Sequence, residues 1–249
     1  MKIGVVCEGD QTDGPVLEIL LAAEFPHVNF KIVATSKAAI FQGIGALVDG
    51  LLDSGYERVV VAWDLLPVGT QMAVNSQREN TTPCQVDQRK TLLTTAERTG
   101  QTCVVDVGEL QSRYGFREGA AAANPGRLAL VCFAESFDAI FLSDPAFLQV
   151  LASSEIREAE NLGAVRSPEA VKRPQEVLRW YFRKGHNRRL KYFNKCEHNE
   201  VVAKAFVEQG KLKKLRKHSA YKRLIAIIEG WVSGNHARSA PRSARKAAT

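Results

Sequence analysis

Short apolar runs rich in β-branched residues alternate with amphipathic segments along the first half of the chain. The runs that predict strands are KIGVVC at 2–7, VNFKIVA at 28–34, RVVVAW at 58–63, TCVVDV at 102–107 and RLALVCF at 127–133. Helical spacing predicts a first helix opening near Pro15, a second running from the cap Ser36 to Gly55, and a third over 84–99. This alternation predicts an α/β fold, with a mostly parallel sheet and helices on both faces.

The second half of the chain has a different pattern. From FDAIFLSDPAFLQVLA onward, helical spacing is predicted to continue to about residue 232, and the SGNHARSAPRSARKAAT sequence after it is typical of a disordered segment. We therefore divide the chain into an α/β domain at 1–150, a basic helical segment at 151–232 and a disordered basic tail at 233–249.

Charge is distributed unevenly between these parts. Residues 1–160 hold 12 Lys and Arg against 21 Asp and Glu, whereas residues 161–249 hold 22 against 6. Such asymmetry predicts a polyanionic partner for the basic half, and nucleic acid is the first candidate. The alternative is that the basic half docks on the acidic half or on an acidic protein. No apolar run reaches the roughly 18 to 20 residues of a membrane helix, and the start MKIGVVCEGD does not match a secretory signal. We expect a cytoplasmic protein with no membrane partner.

Two acidic residues directly follow predicted strands. Glu8 follows the first strand and Asp64 the third, and the carboxyl ends of strands are where ligands bind in a doubly wound sheet. If strands 1 and 3 are neighbours, these two side chains converge and repel each other, and a divalent cation relieves that repulsion. Mg²⁺ is typically bound by one or two carboxylates, waters and phosphate oxygens, which suits phosphoryl transfer.

Other candidates have simpler interpretations. Asp13 is typical of a helix cap and Asp106 of a strand end. The first turn, CEGDQTDG, lacks the G-x-G-x-x-G spacing of dinucleotide sites, and the chain has no G-x-x-x-x-G-K-[ST] loop. Cys196 and His198 form a C-x-H pair without a second ligand pair at zinc spacing, and the five separated cysteines indicate reduced thiols.

The segments VVCEGDQTDGPVLEIL and VVVAWD together resemble the TOPRIM domain. The likeness is greatest to small TOPRIM-like proteins of the OLD-nuclease type, which occur in bacterial defence operons, often beside an ATPase. SFDAIFLSDPAFLQVL, RPQEVLRWYF and KHSAYKRLIAII resemble the later helices of that group, so the resemblance spans most of the chain.

The resemblance implies roles for individual residues. Glu8 matches the TOPRIM glutamate, a metal ligand or general acid/base, and Asp64 matches the first Asp of the Asp-x-Asp pair that holds Mg²⁺ or Mn²⁺. The chain departs from the pattern at Leu66, where the second acid is expected. Asp138 is our choice for the replacement ligand. The alternatives are Asp144 and Glu135.

The basic half adds a predicted nucleic-acid-binding surface. Two clusters, WYFRKGHNRRLKYFNK and KLKKLRKHSAYKR, interleave cations with aromatic residues, and we expect Trp180, Phe182 and Phe193 to pack in a core. The predicted nucleic-acid-binding residues are Arg183, Lys184, Arg188, Arg189, Lys213, Lys214 and Arg216.

Two hypotheses of function follow from the sequence. The first is a Mg²⁺-dependent nuclease that cuts RNA or DNA as the effector of an antiviral or toxin-like system, with a partner ATPase implied by the resemblance. The second is a catalytically inactive TOPRIM scaffold that binds nucleic acid or the ATPase, an alternative favoured by Leu66. Both hypotheses are compatible with a homo-oligomer.

Overall fold

The fold is described from a computed structural model. It describes residues 1–9, 11–65, 107–115, 126–133, 136–152, 168–171, 173–186, 188, 190 and 193–239. The strands are β1 (Lys2–Glu8), β2 (Asn29–Thr35), β3 (Arg58–Asp64) and β4 (Leu128–Phe133). The helices of the first half are α1 (Asp13–Glu24), α2 (Lys37–Asp53), α3 (Val107–Tyr114), a 3₁₀ helix (Phe137–Ser143) and α4 (Pro145–Ala152). The second half contains a 3₁₀ turn (Pro168–Ala170), α5 (Pro174–Lys184), α6 (Lys195–Glu208), α7 (Leu212–Leu215) and α8 (Ser219–Ser239).

The sheet is parallel throughout, in the order β2-β1-β3-β4. The chain leaves β1 through α1 to reach β2 on one side, then returns through α2 to place β3 on the other side of β1. The direction of winding therefore reverses between β1 and β3. In sheets of this kind such a reversal opens a crevice at the carboxyl ends of the two strands.

The α/β class and the parallel sheet are confirmed. The strand predicted at 102–107 is wrong at its last residue, because Val107 begins α3, and residues 102–106 lie outside the described residues, as does the helix predicted over 84–99. The tail predicted to be disordered from residue 233 is wrong over 233–239, which continue α8.

Apolar side chains cover both faces of the sheet. Val6, Val59 and Val61 point to a core formed with α2 and α3. The opposite strand positions, such as Val5 and Val60, point to a larger core that contains residues of α1 and of the C-terminal helices α5, α6 and α8. The division at residue 150 therefore marks a change in charge along the chain, but residues on both sides of it belong to one core.

The C-terminal helices are attached to the first half by polar contacts as well. The Trp231 indole N–H on α8 donates a hydrogen bond of 3.1 Å to the backbone oxygen of Gly126 before β4. Among the described helices, none combines the length and the hydropathy needed to cross a bilayer.

Candidate functional site

Glu8 and Asp64 lie side by side at the reversal of winding. β1 and β3 are paired in parallel, so both strands end at the same edge of the sheet. The backbone N–H of Asp64 donates a hydrogen bond of 3.3 Å to Oε2 of Glu8. The predicted convergence of these two residues is confirmed.

The turn after β1 brings a third carboxylate to this edge. The backbone N–H groups of Thr12, Asp13 and Gly14 all point to the carbonyl oxygen of Gly9, at 3.0 to 3.3 Å. Gly9 has a φ of 81°, and a Cβ there would clash with the Thr12 hydroxyl, so only glycine fits this turn. The turn places Asp13 at the start of α1 with 5% of its surface exposed.

Asp138 supplies the fourth carboxylate, from the 3₁₀ helix after β4. Its side chain is buried, and both of its oxygens accept hydrogen bonds from the C-terminal helices. Gln175 Nε2 on α5 donates to Oδ2 at 3.0 Å, and Asn199 Nδ2 on α6 donates to Oδ1. Asp144 instead accepts a hydrogen bond from the backbone N–H of Phe147 on α4, and Glu135 lies outside the described residues.

The four carboxylates interact electrostatically. Burial, followed by the negative charge of Asp138, raises the pKa of Asp13 to about 8. Burial, followed by the charges of Asp13 and Glu8, raises the pKa of Asp64 well above its usual range. Burial opposes the charge of Lys195, but the attraction of all four carboxylates exceeds this effect and raises its pKa. The site is therefore a cluster of four carboxyl groups in which burial and mutual repulsion favour the protonated forms of Asp13 and Asp64.

A second lysine contacts the cluster directly. Lys37 Nζ lies 3.3 Å from Glu8 Oε2, and its side chain is only 7% exposed. Its positive charge also opposes the rise in the pKa of Asp64.

The donor chemistry of the cluster suits a hard cation. Oδ1 of Asp13 and Oδ1 of Asn199 are buried oxygens with no hydrogen-bond partner, and such atoms in a native protein call for a bound ion or water. Within the ranges that the structure describes, no three His, Cys, Asp or Glu side chains are arranged to coordinate one metal ion. The residues therefore fit an ion held by one or two carboxylates and water, as is typical of Mg²⁺.

The predicted nucleic-acid-binding residues divide into two groups. Exposed positions are occupied by Arg183, Lys184, Arg188, Lys213 and Lys214, whereas Arg189 lies outside the described residues. Arg216 is engaged within the protein. Its guanidinium binds the carboxylate of Glu24 at 2.6 Å and that of Glu229 at 2.9 Å, so it fastens α1 to α8.

The aromatic residues of the first basic cluster pack largely as expected. Phe182 and Phe193 are buried and their rings stack at 5.1 Å, while Trp180 is half-buried. The core role predicted for the first two is confirmed.

Four residues of the site were not predicted from the sequence. Lys37 could have been found, because it follows the end of β2, the strand beside Glu8. The other three, Gln175, Lys195 and Asn199, come from helices whose docking position no sequence pattern shows. Asp13 was interpreted only as a cap.

Three comparisons were made with known proteins. Models of protein families, curated proteins and solved structures were each searched, and none of them gave a match to this chain.

Proposed function

We propose that this protein is a Mg²⁺-dependent TOPRIM-like nuclease that cuts RNA or DNA. The observation that carries the proposal is that Glu8, Asp13, Asp64 and Asp138 act on one another at the edge of the sheet where β1 and β3 end. The C-terminal helices pack in the same core as the sheet and carry exposed cations, which suits a substrate with a phosphate backbone. The resemblance of the sequence to TOPRIM proteins supports the same reaction.

Each acidic residue has a distinct part in this proposal. Glu8 and Asp64 would hold the cation, and Asp138, kept in place by the amides of Gln175 and Asn199, would add negative charge beside it. Glu8, the most accessible of the four at 22% side-chain exposure, would also orient or deprotonate the attacking water. The bound Mg²⁺ would stabilise negative charge on the scissile phosphate.

Cleavage assays on RNA, single-stranded DNA and duplex DNA with Mg²⁺ or Mn²⁺ test the proposal. Glu8→Gln and Asp64→Asn should each lower the rate by at least about 100-fold, since each removes a charge at the reacting centre. Asp53→Asn is the matched control, because Asp53 is exposed at the far end of α2. Cleavage that survives both site substitutions would exclude this site.

The second candidate is a non-catalytic TOPRIM scaffold that binds nucleic acid or a partner ATPase. Two contacts favour this scaffold: Glu8 forms an ion pair with Lys37, and Asp138 accepts two hydrogen bonds. Both carboxylates therefore already have partners within the protein. Leu66, in place of the second TOPRIM acid, lies outside the described residues. A scaffold would bind nucleic acid but show no divalent-dependent cleavage by the wild-type protein. A role in defence or toxicity, and the ATPase itself, are proposals that rest on the resemblance alone.

A further inference from the structure

We propose that Lys37 is a built-in counter-cation, which a divalent ion must displace from Glu8 before the site fills. Lys37 would then set the concentration of divalent cation at which the protein becomes loaded. This inference rests on the proposed function, because it assumes that a divalent ion binds beside Glu8.

The fold places Lys37 at Glu8 by the pairing of two strands. Glu8 is in register with Thr35 at the end of β2, and the next residue, Ser36, caps α2 by accepting a hydrogen bond from the backbone N–H of Ala39. Lys37 is therefore the first residue of α2 and stands at the same edge of the sheet as Glu8. Its ammonium lies 3.3 Å from Oε2 of Glu8.

This position is unfavourable for a lysine on ordinary grounds. The amino end of a helix carries a partial positive charge and favours acidic side chains there. The Lys37 side chain is also almost fully buried, which costs free energy unless its charge is neutralised. The carboxylate cluster is what offsets both costs.

Lys195 repeats the arrangement on a second helix. It is the first residue of α6, after the cap Asn194, whose side chain accepts a hydrogen bond from the backbone N–H of Cys196. Its ammonium is attracted by the same four carboxylates. Two helices thus begin with a lysine that is attracted by one acidic cluster, although helix starts disfavour cations.

The cluster has oxygen atoms available to a competing ion. Two ammonium groups are attracted by four carboxyl groups, so the carboxyl groups outnumber the ammonium groups that can pair with them. A divalent cation carries twice the charge of the ammonium and binds the oxygen atoms more closely. Displacing Lys37 removes an ion pair, and this loss weakens the apparent affinity for the divalent ion.

Substitutions of Lys37 that keep or remove its charge distinguish competition with the metal ion from a role in packing. Mn²⁺ binding to the full chain is measured by calorimetry for the wild type, Lys37→Met, Lys37→Gln and Lys37→Arg. The neutral variants should bind Mn²⁺ at least about tenfold more tightly, since a unit charge at this distance shifts proton affinity by about one to three pK units. Lys37→Arg should keep the wild-type affinity within about threefold. Lys204→Met, which removes an exposed charge of α6, should change it by less than about twofold.

Thermal unfolding supplies an independent measurement. In EDTA, the neutral variants should melt below the wild type, because the carboxylates lose a partner. Saturating Mn²⁺ should restore their melting temperature to that of the loaded wild type, so a variant that is unstable alone can still be assayed when loaded.

Two results overturn the inference, and they are distinguishable. If the wild type binds Mn²⁺, and Glu8→Gln abolishes this binding, but the neutral Lys37 variants bind no more tightly, Lys37 is not a competitor and the metal site stands. If neither the wild type nor any Lys37 variant binds Mn²⁺, the proposed metal site itself fails, and this inference fails with it.

Discussion

Replacing Asp13 with asparagine removes one charge from the buried cluster and keeps the shape of the side chain. In the folded protein the pKa of Asp13 is raised from 3.8 to about 8, mainly by burial and then by Asp138. Between about pH 4 and pH 8 the folded protein therefore holds a proton that the unfolded chain has released. The free energy of unfolding should fall as the pH rises through this window.

The size of the effect follows from the same values. A pKa difference between 3.8 and about 8 corresponds to roughly 6 kcal/mol at most, and relaxation of the site with entry of water recovers part of it. We expect Asp13→Asn to raise the free energy of unfolding by about 2 to 4 kcal/mol at pH 8.5 in EDTA. The gain should shrink towards zero near pH 4, where Asp13 is protonated in both states.

Urea denaturation of the full chain, repeated between pH 4 and pH 9 in EDTA, measures this difference. Glu18→Gln is the control, because Glu18 is exposed on the same helix and its substitution should leave the pH dependence unchanged. Equal destabilisation by Asp13→Asn at every pH would refute the reasoning, since it would show that the carboxylate stabilises the turn rather than straining the cluster.

Three further substitutions test other parts of the structure. Gly9→Ala should lower the free energy of unfolding by at least about 1 kcal/mol in urea titrations, because it forces a side chain into a left-handed turn against a neighbouring hydroxyl. Arg216→Met should lower it by about 1 to 3 kcal/mol, since the Glu24 side chain, 8% exposed, loses its partner; an unchanged urea midpoint would show that the pair contributes nothing. Replacing Lys213 and Lys214 together with Gln should leave stability unchanged but reduce the salt dependence of duplex DNA binding, measured by anisotropy, by roughly 1.8 in the log–log slope.

The strands of the sheet could be predicted because each is a short apolar run that ends at polar residues. The runs at 2–7 and 58–63 are observed as Lys2–Glu8 and Arg58–Asp64, so the placement of Glu8 and Asp64 at strand ends followed directly. Their proximity did not follow in the same way. It depends on β3 pairing with β1 rather than β2, which is a property of the crossover and not of either strand's sequence.

The remaining parts of the site depend on tertiary packing. Asp13 has the sequence signature of a helix start, and it does start α1, but the charge of Asp138 that acts on it comes from the 3₁₀ helix after β4, far away in sequence. Asn199 lies on a helix whose pattern shows only that one face is buried. Arg216 appeared to be one cation of a basic cluster because the partner Glu24 is far away in sequence.

The shared core imposes an order of events on synthesis. One face of the sheet is completed by α5, α6 and α8, which leave the ribosome after the strands that they cover. Until then a nascent chain that ends near residue 150 exposes apolar strand and helix surfaces that nothing covers, and such surfaces promote aggregation. Asp138 would meet its Asn199 partner only after the C-terminal helices dock, so an incomplete chain lacks the finished acidic site.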